Sequence, residues 1–174
     1  LFCVLALLLV LPRAGAVSAR GAVVIDADTG ETLFEQNADS RLPMASTTKI
    51  MTALVALGEG DLDRVYTVKP EYAAVEGSSM YLKAGEELTV EDLLYGLMLS
   101  SGNDAAVALA IHVAGSPEEF AKLMNEKAQA LGLKNTHFAN PNGLDSEENY
   151  ATARSLGILA AEAMKNDSFR TIVS

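Results

Sequence analysis

The sequence is almost without cysteine, and this absence excludes several kinds of chemistry. Its one cysteine, Cys3, lies inside an apolar stretch at residues 1–11. If that stretch is removed on export, the rest of the chain can form no disulfide, thiolate nucleophile or cysteine-based metal site. Neither histidine, His112 or His137, has a ligand partner at the spacing of a metal site. We therefore expect no metal and no cofactor.

Basic residues are also scarce. The chain has 13 lysines and arginines against 23 aspartates and glutamates, a formal net charge of −10, and such an acidic chain is a poor candidate for binding nucleic acid. No charge block, low-complexity tract or internal repeat points to disorder or to a solenoid. We expect one folded domain with a real core and no nucleic-acid partner.

Long apolar runs are missing too. Residues 1–11 are wholly apolar, but a transmembrane helix needs about 20 such residues. Small residues follow, with plausible cleavage after Ala16 or Ala19, as in a secretory signal peptide whose basic first segment is missing. A buried N-terminal helix is the alternative. We interpret residues 1–19 as a signal peptide, residues 20–174 as one domain, and the protein as exported.

The order of the predicted elements favours an α+β fold. Apolar segments at residues 21–25 and 31–36 flank a turn and predict a β-hairpin whose first strand is buried, and residues 65–68 suggest one more short strand. Helical spacing of apolar residues predominates afterwards. The predicted helices begin near residues 46, 89, 104, 116 and 156. Because strands precede helices without βαβ alternation, we expect an antiparallel sheet with a helical subdomain.

The tetrapeptide Ser46-Thr47-Thr48-Lys49 carries the first sign of chemistry. If a helix begins at Ser46, the serine hydroxyl and the lysine amine share one face. Serine is a weak nucleophile until a base takes its proton, and lysine is such a base only when its pKa is lowered. The apolar residues 50–57 supply burial, and a helix N-terminus favours an oxyanion. A serine N-cap with a solvated lysine is the alternative.

The tripeptide Ser101-Gly102-Asn103 interrupts the helical pattern later in the chain. A break of this kind exposes small polar side chains to a cleft. The second hydroxyl could relay a proton, and the asparagine amide could bind an amide of a substrate. Alone, the tripeptide is more typical of an ordinary turn between two helices, with Asn103 as the N-cap of the second. Asn140-Pro141-Asn142-Gly143 predicts a further turn.

Together, the two motifs and their flanks resemble the low-molecular-mass penicillin-binding proteins, a family of serine-type D-alanyl-D-alanine carboxypeptidases. The resemblance implies a β-lactamase/D,D-peptidase-like fold, with residues 20–174 as its catalytic domain. The stretches that carry the resemblance are residues 44–53, 93–108 and 136–144, and it extends over about residues 20–170.

The resemblance implies a role for each motif residue. Ser46 is the acylated nucleophile, Lys49 the general base, and Ser101 part of the proton relay. Asn103 contacts the peptide group of the substrate, and the backbone N–H of Ser46 is one oxyanion donor. The implied reaction removes the terminal D-Ala of peptidoglycan pentapeptide stems, and β-lactam antibiotics acylate the same serine. The family also implies possible membrane association through a C-terminal segment.

Two departures from the family pattern stand out. Asn149-Tyr150-Ala151-Thr152 replaces a common His-Tyr-Ser or His-Tyr-Thr, and Lys-Thr-Gly does not occur. We therefore expect a chain truncated before Lys-Thr-Gly, an incomplete sheet with uncovered apolar faces, and an inactive fragment. One alternative is a serine β-lactamase, although that class usually has Ser-Asp-Asn and a Glu-x-x-Leu-Asn segment. The other is a non-catalytic cell-wall binding protein that keeps the fold.

Overall fold

A computed structural model describes residues 17–58, 61–73 and 75–174. The predicted signal peptide therefore lies outside the described residues except for residues 17–19. Within the described ranges the chain has six short strands and six α-helices. The strands are β1 (Ala22–Ile25), β2 (Thr32–Gln36), β3 (Leu42–Pro43), β4 (Val65–Thr67), β5 (Glu87–Thr89) and β6 (Tyr150–Ala151). The helices are α1 (Thr48–Leu57), α2 (Val90–Leu99), α3 (Asn103–Ala114), α4 (Pro117–Ala130), α5 (Ala153–Ala163) and α6 (Asp167–Val173).

The predicted hairpin is confirmed as β1 and β2, which pair antiparallel. The Asp26 carboxylate closes its turn by accepting hydrogen bonds from the N–H groups of Asp28 and Thr29. The predicted burial of the first strand is wrong, since Val24 is 50% exposed, and Leu33 on β2 is 62% exposed. An apolar run predicts burial only where a second layer covers it.

The other two pairings are β3 with β6 and β4 with β5, so the described strands form three separate two-stranded antiparallel sheets. The short strand expected near residues 65–68 is β4. The β3–β6 pairing was not predicted, because a two-residue strand has no periodicity to detect. It places the segment before Ser46 beside the segment that follows residues 140–143.

The core lies between the helices. One apolar cluster includes Leu93, Leu97 and Leu109 from α2 and α3, and a second includes Met51 and Phe120 from α1 and α4. Helix α1 contributes to both clusters and is buried on most of its surface. A side chain near its start is therefore held in the interior even when it is polar. None of the described helices is long and apolar enough to cross a bilayer.

The helix ends follow the signals in the sequence. Thr89 and Asp92 form the predicted capping box at the start of α2, and Ser116 caps α4 by accepting from the N–H of Glu119. One helix, α6, was not predicted. Asn166 caps it, and its seven residues are too few for a clear apolar period.

Candidate active site

Ser46 lies in a tight 3-10 turn, Ala45–Thr47, that continues directly into α1. The predicted helix is therefore present, but Ser46 lies in a 3-10 turn at its start, and the α-helix itself begins at Thr48. Ala45 adopts a φ of 45°, a left-handed conformation that a non-glycine residue rarely takes and that is often found at functional sites. Ser46 is exposed at the start of α1, so a substrate can reach this residue from solvent.

Lys49 is the most unusual side chain of this region, because it is charged in water and yet only 2% exposed here. Its Nζ atom donates hydrogen bonds to Ser46 Oγ at 3.3 Å, to Asn103 Oδ1 at 2.7 Å and to the Asn142 carbonyl oxygen at 2.6 Å. These three uncharged acceptors satisfy the three donors of an ammonium. Burial lowers the pKa of Lys49 to about 8, so a proton-accepting neutral amine is accessible near neutral pH.

Ser101 reaches the same serine from the junction of α2 and α3. Its hydroxyl donates to Ser46 Oγ at 3.0 Å, and its own backbone has a φ of 53°. The turn is compact: Gly102 donates its N–H to the Gly96 carbonyl at 3.1 Å. A Cβ on Gly102 would lie 2.9 Å from an Asp104 carboxylate oxygen. The junction therefore needs a glycine beside Ser101, and Gly102, rather than Asn103, is the cap of α3.

Asn103 is buried, and both ends of its amide are already engaged. Its oxygen accepts from Lys49, and its Nδ2 donates to the Glu76 carbonyl oxygen at 2.7 Å. The sequence did not predict the hydrogen bond between Asn103 and Lys49. Through this bond Asn103 helps to orient the Lys49 amine. The predicted contact between Asn103 and a substrate amide stays a prediction.

The turn at residues 140–143 also belongs to the site, which sequence reasoning missed. Besides the Asn142 carbonyl on Lys49, the Pro141 carbonyl accepts from Thr52 Oγ1 at 2.6 Å. Both acceptors are main-chain oxygens facing α1. Gly143 has a φ of 86°, and a Cβ there would collide with the Ala45 carbonyl oxygen. The turn was visible in the sequence, but no sequence signal shows which helix its carbonyls face.

Asp104 is a second residue whose part was missed. It is 1% exposed, and its carboxylate accepts from Ser79 Oγ at 2.6 Å and from the N–H groups of Leu82 at 3.0 Å and Met80 at 3.1 Å. Burial raises the pKa of Asp104, but these hydrogen bonds and one from the N–H of Ala105 outweigh it, and the pKa is lowered overall. Asp104 therefore fixes the segment 79–82 against the start of α3.

The two histidines make their contacts away from Ser46 and Lys49. His112 on α3 stands edge-on to the ring of Tyr66, and His137 contacts the Glu148 carbonyl through Nδ1. Among the described residues, no group of three or more His, Cys, Asp and Glu side chains could hold a metal ion.

Comparison with known proteins assigns the chain to a family. A family model described as D-alanyl-D-alanine carboxypeptidase matches residues 10–172. The chain belongs to the D-alanyl-D-alanine carboxypeptidase family. The resemblance inferred from the two motifs is therefore confirmed.

Individual carboxypeptidases of this family match over most of the chain. It is 46% identical over 159 residues to the D-alanyl-D-alanine carboxypeptidase DacF of Bacillus subtilis, covering 88% of this chain and 41% of that protein. The crystal structure of the carboxypeptidase DacD from Francisella tularensis superposes with a TM-score of 0.87 at 38% identity, over 93% of this chain and 41% of that one. A mutant of the Streptomyces K15 DD-transpeptidase gives a TM-score of 0.87 at 40% identity, over 91% and 65% respectively.

These matches confirm the expected α+β, D,D-peptidase-like fold. The chain spans about two fifths of the length of the Bacillus carboxypeptidase.

Proposed function

We propose that this chain carries the nucleophile of a serine D-alanyl-D-alanine carboxypeptidase, with Ser46 as the residue that becomes acylated. One observation carries the proposal: Ser46 Oγ lies 3.3 Å from Lys49 Nζ and 3.0 Å from Ser101 Oγ. A nucleophile within hydrogen-bond reach of a base with a lowered pKa is the arrangement that covalent catalysis requires.

Acylation begins with proton transfer from Ser46 to the neutral amine of Lys49, directly or through Ser101. The Ser46 oxygen then attacks the carbonyl carbon of the D-Ala-D-Ala peptide bond. The tetrahedral oxyanion accepts a hydrogen bond from the Ser46 N–H, at the positive end of α1. When the intermediate collapses, the C–N bond breaks, and the proton passes through Ser101 to the amine of the departing D-Ala.

In the second step the acyl group passes from Ser46 to an acceptor molecule, which frees the enzyme. Attack by water gives the shortened peptide and regenerates Ser46, which is carboxypeptidase activity. Attack by an amine gives transpeptidation, which the likeness to a DD-transpeptidase makes the second candidate. A β-lactam ring would acylate Ser46 in the same way, without a leaving group that diffuses away. The scheme uses no cofactor and no metal.

The proposed substrate determines where the protein must act. Pentapeptide stems of peptidoglycan lie outside the cytoplasmic membrane, so the proposed place of action is extracytoplasmic, in agreement with the signal peptide predicted at residues 1–19. Membrane association through a C-terminal segment, implied by the family resemblance, is part of the same proposal.

The direct test is acylation by benzylpenicillin of the protein expressed from its complete gene. We expect a stable adduct by intact mass, mapped by proteolysis to Ser46 and absent from Ser46→Ala. Ser100→Ala is the matched control, since it removes the exposed hydroxyl next to Ser101 in the sequence and should leave the adduct intact. An adduct that persists in Ser46→Ala would refute the assignment. Rapid hydrolysis of the drug would favour a serine β-lactamase, and no adduct would favour a non-catalytic binding protein.

A second assay separates the two acceptors. The protein is given a peptide ending in D-Ala-D-Ala, with and without glycine as an amine acceptor. Release of D-Ala with a shortened peptide indicates hydrolysis, whereas a glycine-terminated product indicates transfer. A peptide ending in L-Ala is the control and should not react.

A further inference from the structure

The turn at residues 140–143 is held in shape by one side chain that has no assigned role. Asn140 is half-buried. Its Oδ1 accepts from the N–H of Gly143 at 2.7 Å, and its Nδ2 donates to the Leu144 carbonyl oxygen at 3.0 Å. The amide thus closes the turn on itself, in the manner of asparagine side chains that bind nearby backbone groups.

The closed turn presents two carbonyl groups to one face of α1. The Asn142 oxygen accepts from Lys49 Nζ at 2.6 Å, and the Pro141 oxygen accepts from Thr52 Oγ1 at 2.6 Å. Lys49 and Thr52 are three residues apart and therefore lie on the same side of the helix. The turn also approaches the strained Ala45 so closely that a side chain at Gly143 would collide with the Ala45 carbonyl oxygen. The turn thus covers the buried amine of Lys49.

From these contacts we infer that Asn140 is a positioning residue for Lys49: it holds the 140–143 turn so that the Asn142 carbonyl keeps the lysine amine buried and directed at Ser46. The inference rests on the proposed function of Ser46 and Lys49. Asn140 itself touches neither of them, and it acts through the main chain of the turn.

Loss of the closure has a defined electrostatic consequence. Charged residues on the segments packed against Lys49 are Asp104 on α3, Glu76 in the preceding loop and Asp145 after the turn. None of them contributes to the lowered pKa of Lys49, whose cause is burial. If the turn loosens, water replaces the carbonyl and solvates the ammonium, so the pKa of Lys49 rises towards that of free lysine. Less neutral amine is then present at pH 7.

The test compares Asn140→Ala with the unchanged protein, using the product of the complete gene. The first readout is the titration of the Lys49 side chain by NMR, assigned with Lys49→Arg. We expect the midpoint to rise by about one pH unit in Asn140→Ala. The second readout is the pH profile of penicillin acylation. A rise of one unit lowers the neutral fraction of the amine at pH 7 by about tenfold, and the rate should recover in alkaline solution.

Two further variants keep the result interpretable. Asn140→Ser retains a shorter acceptor for the Gly143 N–H and should shift the midpoint less, and it still serves if the alanine variant does not fold. Asn166→Ala removes the cap of α6, a different element from the turn, and should lower stability without moving the midpoint. An unchanged Lys49 midpoint, or acylation reduced equally at every pH, would overturn the inference. Failure of the unchanged protein to be acylated would refute the proposed function alone, since the NMR titration still decides the role of Asn140.

Discussion

The region around Ser46 and the β1–β2 hairpin differ in how they are held. In the first, α1, α2, α3 and the 140–143 turn meet at buried polar groups, which are hydrogen-bonded except for one hydroxyl on α1. Among buried side-chain polar atoms of the described residues, only Thr48 Oγ1 has no partner. The hairpin, by contrast, leaves Val24, Leu33 and Phe34 between 41% and 62% exposed. The geometry of the site therefore depends on the helical core rather than on the hairpin.

The hairpin is attached to the rest of the chain by packing of β1 against α5 and by surface charges. Gly157 on α5 lets Val23 and Ile25 approach, since a Cβ there would lie 2.9 Å from each side chain. Arg154 binds Asp39 at 2.8 Å and Glu35 at 2.6 Å. These pairs lie at the surface, where solvent screens them, so they should stabilise the fold less than burial of the helical core does. Mutations in the two regions should consequently have very different effects, and four of them would test the contrast.

The largest effect is expected for Leu97→Ala on α2. Leu97 is fully buried beneath the junction that carries Ser101. Removing a buried leucine side chain leaves a cavity and costs about 3 kcal/mol of unfolding free energy. Urea denaturation followed by circular dichroism measures it. A loss below about 1 kcal/mol would show that this core is loosely packed.

Asp104→Ala should have the next largest effect. It leaves the Ser79 hydroxyl and the N–H groups of Met80 and Leu82 without their acceptor, at a cost of about 2 kcal/mol. The segment 79–82 should loosen, which hydrogen exchange at Met80 and Leu82 would report. Asp92→Ala removes an exposed carboxylate from the cap of α2 and is the matched control. Equal exchange in the two variants would contradict the role given to Asp104.

The lowered pKa of Lys49 should make the unfolding free energy depend on pH. Its pKa in the fold is about 8 and its ordinary value is 10.5. Between these values the unfolded chain binds more protons than the folded chain, so the unfolding free energy rises with pH across this window. Below about pH 8 Lys49 is protonated in both states and adds no pH dependence. Lys49→Met should remove the rise. The measurement is the difference in unfolding free energy between the two proteins from about pH 7 to 10.5, and a constant difference would exclude a lowered pKa.

The smallest effect is expected for Leu33→Ser on the hairpin. Leu33 is 62% exposed, so the substitution should change the unfolding free energy by less than about 0.5 kcal/mol. Solubility should rise, because exposed apolar strands favour association. A loss as large as that of Leu97→Ala would mean that the hairpin face is covered in solution, and the contrast between the regions would fail.

Much of this protein could be predicted from local patterns in its sequence. The hairpin, the capping box at Thr89 and the start of α4 at Ser116 follow from backbone chemistry within a few residues. The Ser46 and Lys49 pair is local as well, because one turn of a helix determines the spacing of its side chains. The family could be inferred from the two motifs together, since their joint occurrence is far more specific than either alone.

The remaining features depend on contacts between distant segments, which no local pattern encodes. That Ser101 reaches Ser46, that Asn103 binds Lys49 rather than capping α3, and that Asn142 offers its carbonyl are results of packing across 54 to 93 residues of chain. The exposure of the hairpin and the burial of Lys49 have the same origin. A residue is buried only when another element covers it, so the sequence determined which side chains could do the chemistry, and the tertiary structure decided which atoms meet and how little water surrounds them.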